Sequence, residues 1–341
     1  MKILEVETEH TSPFKVLFEV LKDMLTETNI EFRASGKNNK NALDENDETE
    51  EETEEVEETE ENNSNNSKNS KNKKSEEKDC MKITAIDPTK TVLINLKLDG
   101  VNFSKFICKK NKLLIGVNLG CFYKLIKRMG KNDILTLSVD HDNKNFLKIL
   151  IDSPDEKKST DFDLKLLDLD EIKISIPEIA FDAVITMDSQ EFNKLCREMY
   201  NIADYVEIKC LKDKIIFTCK GDFANGKTTY RTCTEKEEEE NDNILVSINH
   251  ASTRSPTAPQ IVQGIFELKN LVLFSKCASL CNDIEVYMKN DFPLVIKYTV
   301  ATLGRILLCL TPIKEETTKN TNYSDEEEYY SDNDAIEVIA P

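Results

Sequence analysis

Apolar and polar residues alternate along most of this chain with the period of two that marks strands with one buried face. Residues 91–98, 134–139, 146–151, 205–210, 214–219, 244–248, 284–288 and 294–300 alternate or run in β-branched and aliphatic residues, and each predicts a strand. At four places the spacing lengthens to that of a helix: about 13–24, 119–129, 189–199 and 266–280, each followed within a few residues by a strand. In the first, Phe14, Leu17, Phe18, Leu21, Met24 and Leu25 fall on one side and predict a buried face.

The helical segments repeat. Phe122-Tyr-Lys124-Leu125-Ile-Lys127-Arg-Met129 and Phe192-Asn-Lys194-Leu195-Cys-Arg197-Glu-Met199 both read F-x-K-L-x-[KR]-x-M. Helices two to four are each closed by an aspartate and an alternating strand, beginning at Asp133, Asp204 and Asp283. The pattern predicts an α+β fold made of a duplicated domain, each copy with two helices on one face of an antiparallel sheet. A chain of 341 residues that is 39% hydrophobic is long and apolar enough to build both cores.

Charge changes the picture. The formal net charge is −19, but it is concentrated. Residues 37–79 are a run of Glu, Asn, Ser, Lys and Thr with almost nothing to bury, an expected disordered insertion between Gly36 and Cys80 at a hairpin tip. Within it, residues 44–61 hold 13 carboxylates and no Lys or Arg; residues 315–341 hold nine against Lys319 alone, and are expected to be a disordered tail. Without those two segments the chain is close to neutral, so its cations can form a local patch. The ten cysteines form no CxxC pair and the three histidines, His10, His141 and His250, are scattered, so no metal site is expected. Cysteines spread singly through apolar runs read as reduced core residues of an intracellular protein. No apolar run reaches the roughly 18 residues of a membrane span, and Met1 to Glu9 does not read as a signal peptide.

All four helices carry cations beside their apolar faces. The first has Lys15 and Lys22, the second Lys124, Lys127 and Arg128 with Lys131 beyond, the third Lys194 and Arg197, the fourth Lys269 and Lys276. Spacings of three or seven put each set on one side. One such helix is an ordinary solvated face; four of them in so acidic a chain point to a row of cations facing phosphates. Such contacts read no sequence, and the aromatic residues lie on the core side, so the expectation is salt-dependent, sequence-blind duplex binding without base stacking.

Gly221-Asp-Phe-Ala-Asn-Gly226-Lys227-Thr228 matches the P-loop pattern, which would make the chain a nucleotidase. A P-loop must open a helix, whereas Thr228 to Cys233 is β-rich, so a two-residue Asn-Gly turn between strands is the better reading. No other arrangement suggests catalysis, no cofactor is expected, and the chain reads as a non-enzyme.

Several collinear segments resemble eukaryotic-type proliferating cell nuclear antigen: Val20-Leu-Lys-Asp23, Leu114-Ile-Gly-Val-Asn-Leu119, Leu166-Leu-Asp-Leu-Asp170 with Ile176-Pro177, Glu191-Phe192 with Cys196-Arg197, and Asp291-Phe-Pro-Leu-Val-Ile-Lys-Tyr298. The resemblance runs from Met1 to about Glu316, except for the insertion. It implies a homotrimeric ring around double-stranded DNA, with the helix cations lining the hole, and a processivity factor that tethers a DNA polymerase and is opened by a separate clamp loader. It divides the chain into a first domain over 1–163, a connector over 164–177, a second domain over 178–314 and the tail. It adds Lys109, Lys110, Lys112, Lys158 and Lys165 as DNA-facing residues and assigns ring closure to edge strands at about 157–165 and 223–231. It also implies a pocket for PIP-box-type partner peptides at Ile86, Thr91, Leu93, Ile174, Ile176, Pro177, Pro293, Thr311 and Pro312. There Ile86 stands for a methionine, Cys309 for a tyrosine and Lys90 for a histidine. The implied location is the nucleus, or a viral replication site if a virus encodes it. The alternative within this class is a checkpoint-type clamp that assembles with other subunits.

Overall fold

The computed structural model describes residues 1–35, 78–171, 174, 179–232, 246–250 and 261–313. Two halves follow the same order of elements. The first runs β1 (Lys2–Thr8), α1 (Thr11–Met24), β2 (Glu27–Arg33), β3 (Cys80–Ile86), β4 (Val92–Asp99), β5 (Lys105–Cys108), β6 (Lys112–Asn118), α2 (Leu119–Ile126), β7 (Ile134–Asp140), β8 (Asn143–Ser153) and β9 (Lys158–Lys165). The second runs β10 (Ala183–Asp188), α3 (Ser189–Tyr200), β11 (Tyr205–Cys210), β12 (Lys214–Lys220), β13 (Asn225–Arg231), β14 (Val246–His250), β15 (Val262–Glu267), α4 (Leu268–Ser275), β16 (Asp283–Met288), β17 (Leu294–Val300) and β18 (Gly304–Leu310). The duplication and the α+β class read from the pattern are therefore present.

The strands of each half divide between two antiparallel groups. In the first half they are ordered β5-β1-β7-β8-β9 and β4-β3-β2-β6; in the second, β14-β10-β16-β17-β18 and β13-β12-β11-β15, the same two orders. β18 then pairs with β4 along seven residues, Gly304 with Leu98 through Leu310 with Val92, and fuses one group from each half into a nine-stranded sheet. The duplicate counterparts of β18 and β4 are β9 and β13, and both end their sheets unpaired.

Helices and sheets share one hydrophobic core. Phe14, Phe18 and Phe122 are fully buried, with ring centroids 4.7 Å apart from Phe14 to Phe18 and again from Phe18 to Phe122, so tilted aromatic contacts hold α1 against α2. Helix starts are capped by side chains: Asn118 accepts from the Cys121 amide at 2.9 Å, and Asp188 from the Glu191 amide at 2.7 Å.

Three local expectations are corrected. The P-loop-like segment is a hairpin. β12 and β13 pair with Lys220 across from Asn225, Gly221 donates to the Ala224 carbonyl at 3.0 Å, and no helix follows. The turn is the four residues 221–224, not a two-residue Asn-Gly turn, because Asn225 and Gly226 already belong to β13. A Cβ on Gly221 would lie 1.8 Å from the Ile202 carbonyl oxygen, which explains that glycine without a phosphate. The fourth helix is shorter than its spacing suggested: α4 ends at Ser275 and a 3₁₀ turn, Lys276–Ser279, takes over. Asp79, placed at the end of the insertion, belongs to the fold: its carbonyl accepts from Gly100 at 2.7 Å and its carboxylate from the Ser35 amide at 2.5 Å. The rest of the insertion, the tail, and residues 233–245, which hold an acidic run at Glu235–Glu240, lie outside the described residues.

Tyr298 is fully buried, and its hydroxyl has no hydrogen-bond partner among the described residues. Tyr298→Phe removes an unmatched polar group without opening a cavity. It should leave stability unchanged or raise it by about 1 kcal/mol in thermal denaturation, whereas Phe122→Ala should cost about 3–5 kcal/mol. A clear loss in Tyr298→Phe would reveal a partner for that hydroxyl.

Candidate nucleic-acid interface

The four helices form a layer on one side of the sheets that crosses from one half to the other. α1 packs on α2, α3 on α4, and α1 meets both α4 and the 3₁₀ turn. The same latch holds each pair. At the start of α1, the buried Thr11 hydroxyl donates to the Gly130 carbonyl at 2.8 Å, just beyond α2. At the start of α3, the buried Ser189 hydroxyl donates to the carbonyls of Ala278 at 2.9 Å and Cys281 at 2.6 Å, just beyond α4.

The cations on this layer sort into two groups. Lys15 is half-buried and donates to the Met129 carbonyl at 2.9 Å, so it caps the chain leaving α2. Lys22 contacts Asp23 at 2.6 Å and lies 5.0 Å from the centre of the Tyr123 ring; Lys276 contacts the other Asp23 oxygen at 2.7 Å. Asp23 thus joins α1 to the 3₁₀ turn of the other half. Burial alone would raise its carboxyl, but hydrogen bonds and charge from Lys22 and Lys276 outweigh it and hold the group below its ordinary value. These ion pairs are therefore intact at neutral pH, and the stability they contribute is fully present above about pH 3.9 and is lost as pH falls through the lowered folded value.

Lys124, Lys127, Arg128, Lys194, Arg197 and Lys269 are exposed, and none has a carboxylate within 4.0 Å among the described residues. Arg197 also lines a hollow with Val16, Glu19, Asp23, Asn193 and Lys276, where helices of the two halves meet. Unpaired cations on a rigid, latched layer can contact phosphates without first breaking internal pairs.

The opposite face of the nine-stranded sheet carries a second apolar cluster: Leu93, Phe181, Val295, Leu307 and Cys309, with Ile86, Ile174, Ile179 and Tyr287 packed on it. A depression beside it is lined by Ile86, Lys90, Thr91, Leu93, Pro293, Cys309 and Thr311. Burial pushes the Cys309 thiol up to about 12, so it sits there as a neutral apolar group.

Two family profiles match the chain. One, for the N-terminal domain of proliferating cell nuclear antigen, covers residues 69–173; the other, for its C-terminal domain, covers 175–313. The chain belongs to the proliferating cell nuclear antigen family. A probable DNA polymerase sliding clamp of Acanthamoeba polyphaga mimivirus is 29% identical over 316 residues, taking in 92% of this chain and 62% of the viral protein. The chain therefore spans less than two thirds of that relative's length. The N-terminal match begins inside the insertion, which separates β1, α1 and β2 from β3.

The family resemblance and the structure place residues differently in several cases. Lys112 opens β6, about 20 Å along the strand from α2. Its alternation with the buried Ile115 and Val117 puts it on the face away from the helices, where it pairs with Glu171 and, at 3.8 Å, with Glu31. Lys112 thus lies apart from the helix layer. Lys109 and Lys110 lie in the β5–β6 connection, also apart from the helix layer. Lys158 and Lys165 are seven residues apart on β9, an odd number, so they point to opposite faces; Lys158 shares the side of Phe162 and Leu164, and Lys165 that of Asp161 and Asp163. Of the pocket residues, Ile86, Thr91, Leu93, Pro293 and Thr311 come together, Ile174 packs on the same cluster and Pro312 follows Thr311. Ile176 and Pro177 lie outside the described residues. Phe181, Ile179, Val295, Leu307 and Tyr287 were missed; the unbroken apolar run 306–310 was the available signal, since such a strand is covered on both faces.

Asp23→Asn should release Lys22 and Lys276 and add positive charge to the helix layer. Duplex binding, followed by fluorescence anisotropy over a salt series, should tighten, and log K should fall more steeply with log salt, by up to about 0.9 for each additional phosphate neutralised. An unchanged slope would mean that these two lysines do not face the duplex.

Proposed function

We propose that the chain is a DNA sliding clamp, a non-enzymatic processivity factor whose copies join head to tail into a closed homotrimeric ring. One observation carries this reading. The internal junction pairs β18 with β4, and their duplicate counterparts β9 and β13 each end a sheet with that same edge open. Repeating that junction between copies satisfies both edges, which would otherwise invite aggregation. The exposed residues favour the match: β9 presents Asp161 and Asp163, and β13 presents Lys227 and Arg231. The number three follows the family resemblance.

In this reading the helix layer lines the hole and double-stranded DNA passes through it. Threading holds the protein on DNA topologically, so weak phosphate contacts suffice and sequence is not read. The depression at Ile86, Leu93, Pro293 and Thr311 takes PIP-box-type peptides of the DNA polymerase and other replication proteins, and a separate clamp loader opens the ring. The mimiviral relative supports a viral replication site over a nucleus.

The direct test is polymerase processivity on a primed circular template with a loader; added protein should lengthen products, and linearising the template should abolish the gain. Failure to stimulate on the circle would sink the clamp reading. Reversing Lys124, Lys127, Lys194 and Arg197 to Glu should weaken loading and stimulation while light scattering still reports three times the 39.0 kDa chain. Lys227→Glu with Arg231→Glu should shift that mass toward the monomer, and adding Asp161→Lys with Asp163→Lys should restore it; an unmoved mass would place closure elsewhere.

A further inference from the structure

The outer face of the nine-stranded sheet carries a second set of cations that the helix layer does not explain. Lys82 on β3 stands directly across from Lys97 on β4, and Lys97 directly across from Arg305 on β18. Their strand neighbours Met81, Ile83, Leu96, Leu98 and Ile306 are core residues, so the three side chains project from the face opposite the helices. Like charges directly opposite one another weaken a sheet unless something offsets them. Among the described residues little does. The carboxylate nearest Lys97 is Asp99 at 3.9 Å, and neither Lys82 nor Arg305 has one within 4.0 Å. Glu31, across from Lys82 on β2, is engaged with Arg33 and Lys112. Glu285 pairs with Lys297 at 2.9 Å, and the charge of Arg305 reaches it only at longer range.

The row lies beside the root of the acidic insertion. β2 and β3 last pair at Arg33 and Cys80, and Cys80 in turn faces Asp99, two residues (about 7 Å) from the pair Lys82–Lys97. Residues 44–61 bring 13 carboxylates and no cation. Asp44 is nine steps along the chain from Ser35, a reach of about 30 Å, whereas Lys82 to Arg305 spans two strand spacings, about 10 Å. Of the other acidic segments, 315–341 follows Ile313, beyond the end of β18 remote from Arg305, and Glu235–Glu240 lies between β13 and β14, the latter separated from β18 by three strands.

We propose that residues 44–61 of this same chain dock across Lys82, Lys97 and Arg305, and so keep this outer cationic row from competing with the helix layer for DNA. The docking rests on charge, register and chain length alone; only its consequence for DNA rests on the clamp reading.

Zero-length carbodiimide cross-linking of the full chain at low salt tests it, with ¹⁴N- and ¹⁵N-labelled protein mixed to separate links within a chain from links between chains. Expected are links from Lys82 and Lys97 to carboxylates of residues 44–61, isotopically unmixed and lost at high salt. Lys97→Glu with Arg305→Glu should lower the yield at Lys82 several-fold. Links mainly to residues 315–341 or 235–240, links between copies, or yields no higher than at the exposed Lys212 would overturn the proposal. In a second arm, replacing residues 37–77 by a short Gly-Asn turn should tighten duplex binding, and Lys82→Glu, Lys97→Glu and Arg305→Glu should cancel that gain. No gain on deletion would end the competition role. Processivity of the full chain on circular DNA is a separate readout, so failure of the clamp reading remains distinguishable.

Discussion

The seven-residue ladder between β18 and β4 is the contact on which the rest of the architecture depends. Without it the two halves would be separate units, with β18 and β4 as further open edges. With it, one edge from each half is satisfied, the sheet becomes continuous over nine strands, and the helices above it are brought side by side. Backbone pairing of this kind does not depend on particular side chains, so the junction can recur between duplicated parts whose surfaces have diverged.

The helix layer rests on that junction. α1 belongs to the first half but meets the 3₁₀ turn of the second, and Asp23 bridges the seam to Lys276. Three of the ten helix cations are thereby used in holding the layer: Lys15 on a carbonyl, and Lys22 and Lys276 on one carboxylate. None of the others has a carboxylate within 4.0 Å among the described residues. The basic helix faces of this chain are thus part scaffold and part unpaired charge, and only the geometry separates the two.

Much of this was legible in the sequence because it depends on local periodicity. The four helices were visible in their apolar spacing, and the repeat in the matching segments at Phe122 and Phe192. The division of strands between two groups in each half was not legible, since β7 and β11 alternate alike and nothing local says which distant strand each will meet. The direction of Lys112 was not legible from the segment it resembles, since it is set by the parity of β6. The turn at Gly221 was misjudged by its Asn-Gly dipeptide; the close approach of the Ile202 carbonyl, which excludes a side chain at Gly221, is a tertiary fact. The outer pocket was readable residue by residue at Ile86, Leu93 and Thr311, but its floor, with Val295 and Leu307, required knowing that β17 and β18 are covered on both faces.

The edges left by β9 and β13 are unlike: one belongs to the five-stranded sheet, the other to the four-stranded sheet. A contact between unlike edges has a direction. Every copy added through it must point the same way round, so any closed assembly has a front and a back that differ. Whatever approaches such a ring along its axis meets one chemistry from one side and another from the opposite side. Handedness of that kind allows an object that slides freely both ways to present its attached machinery to only one end of the track.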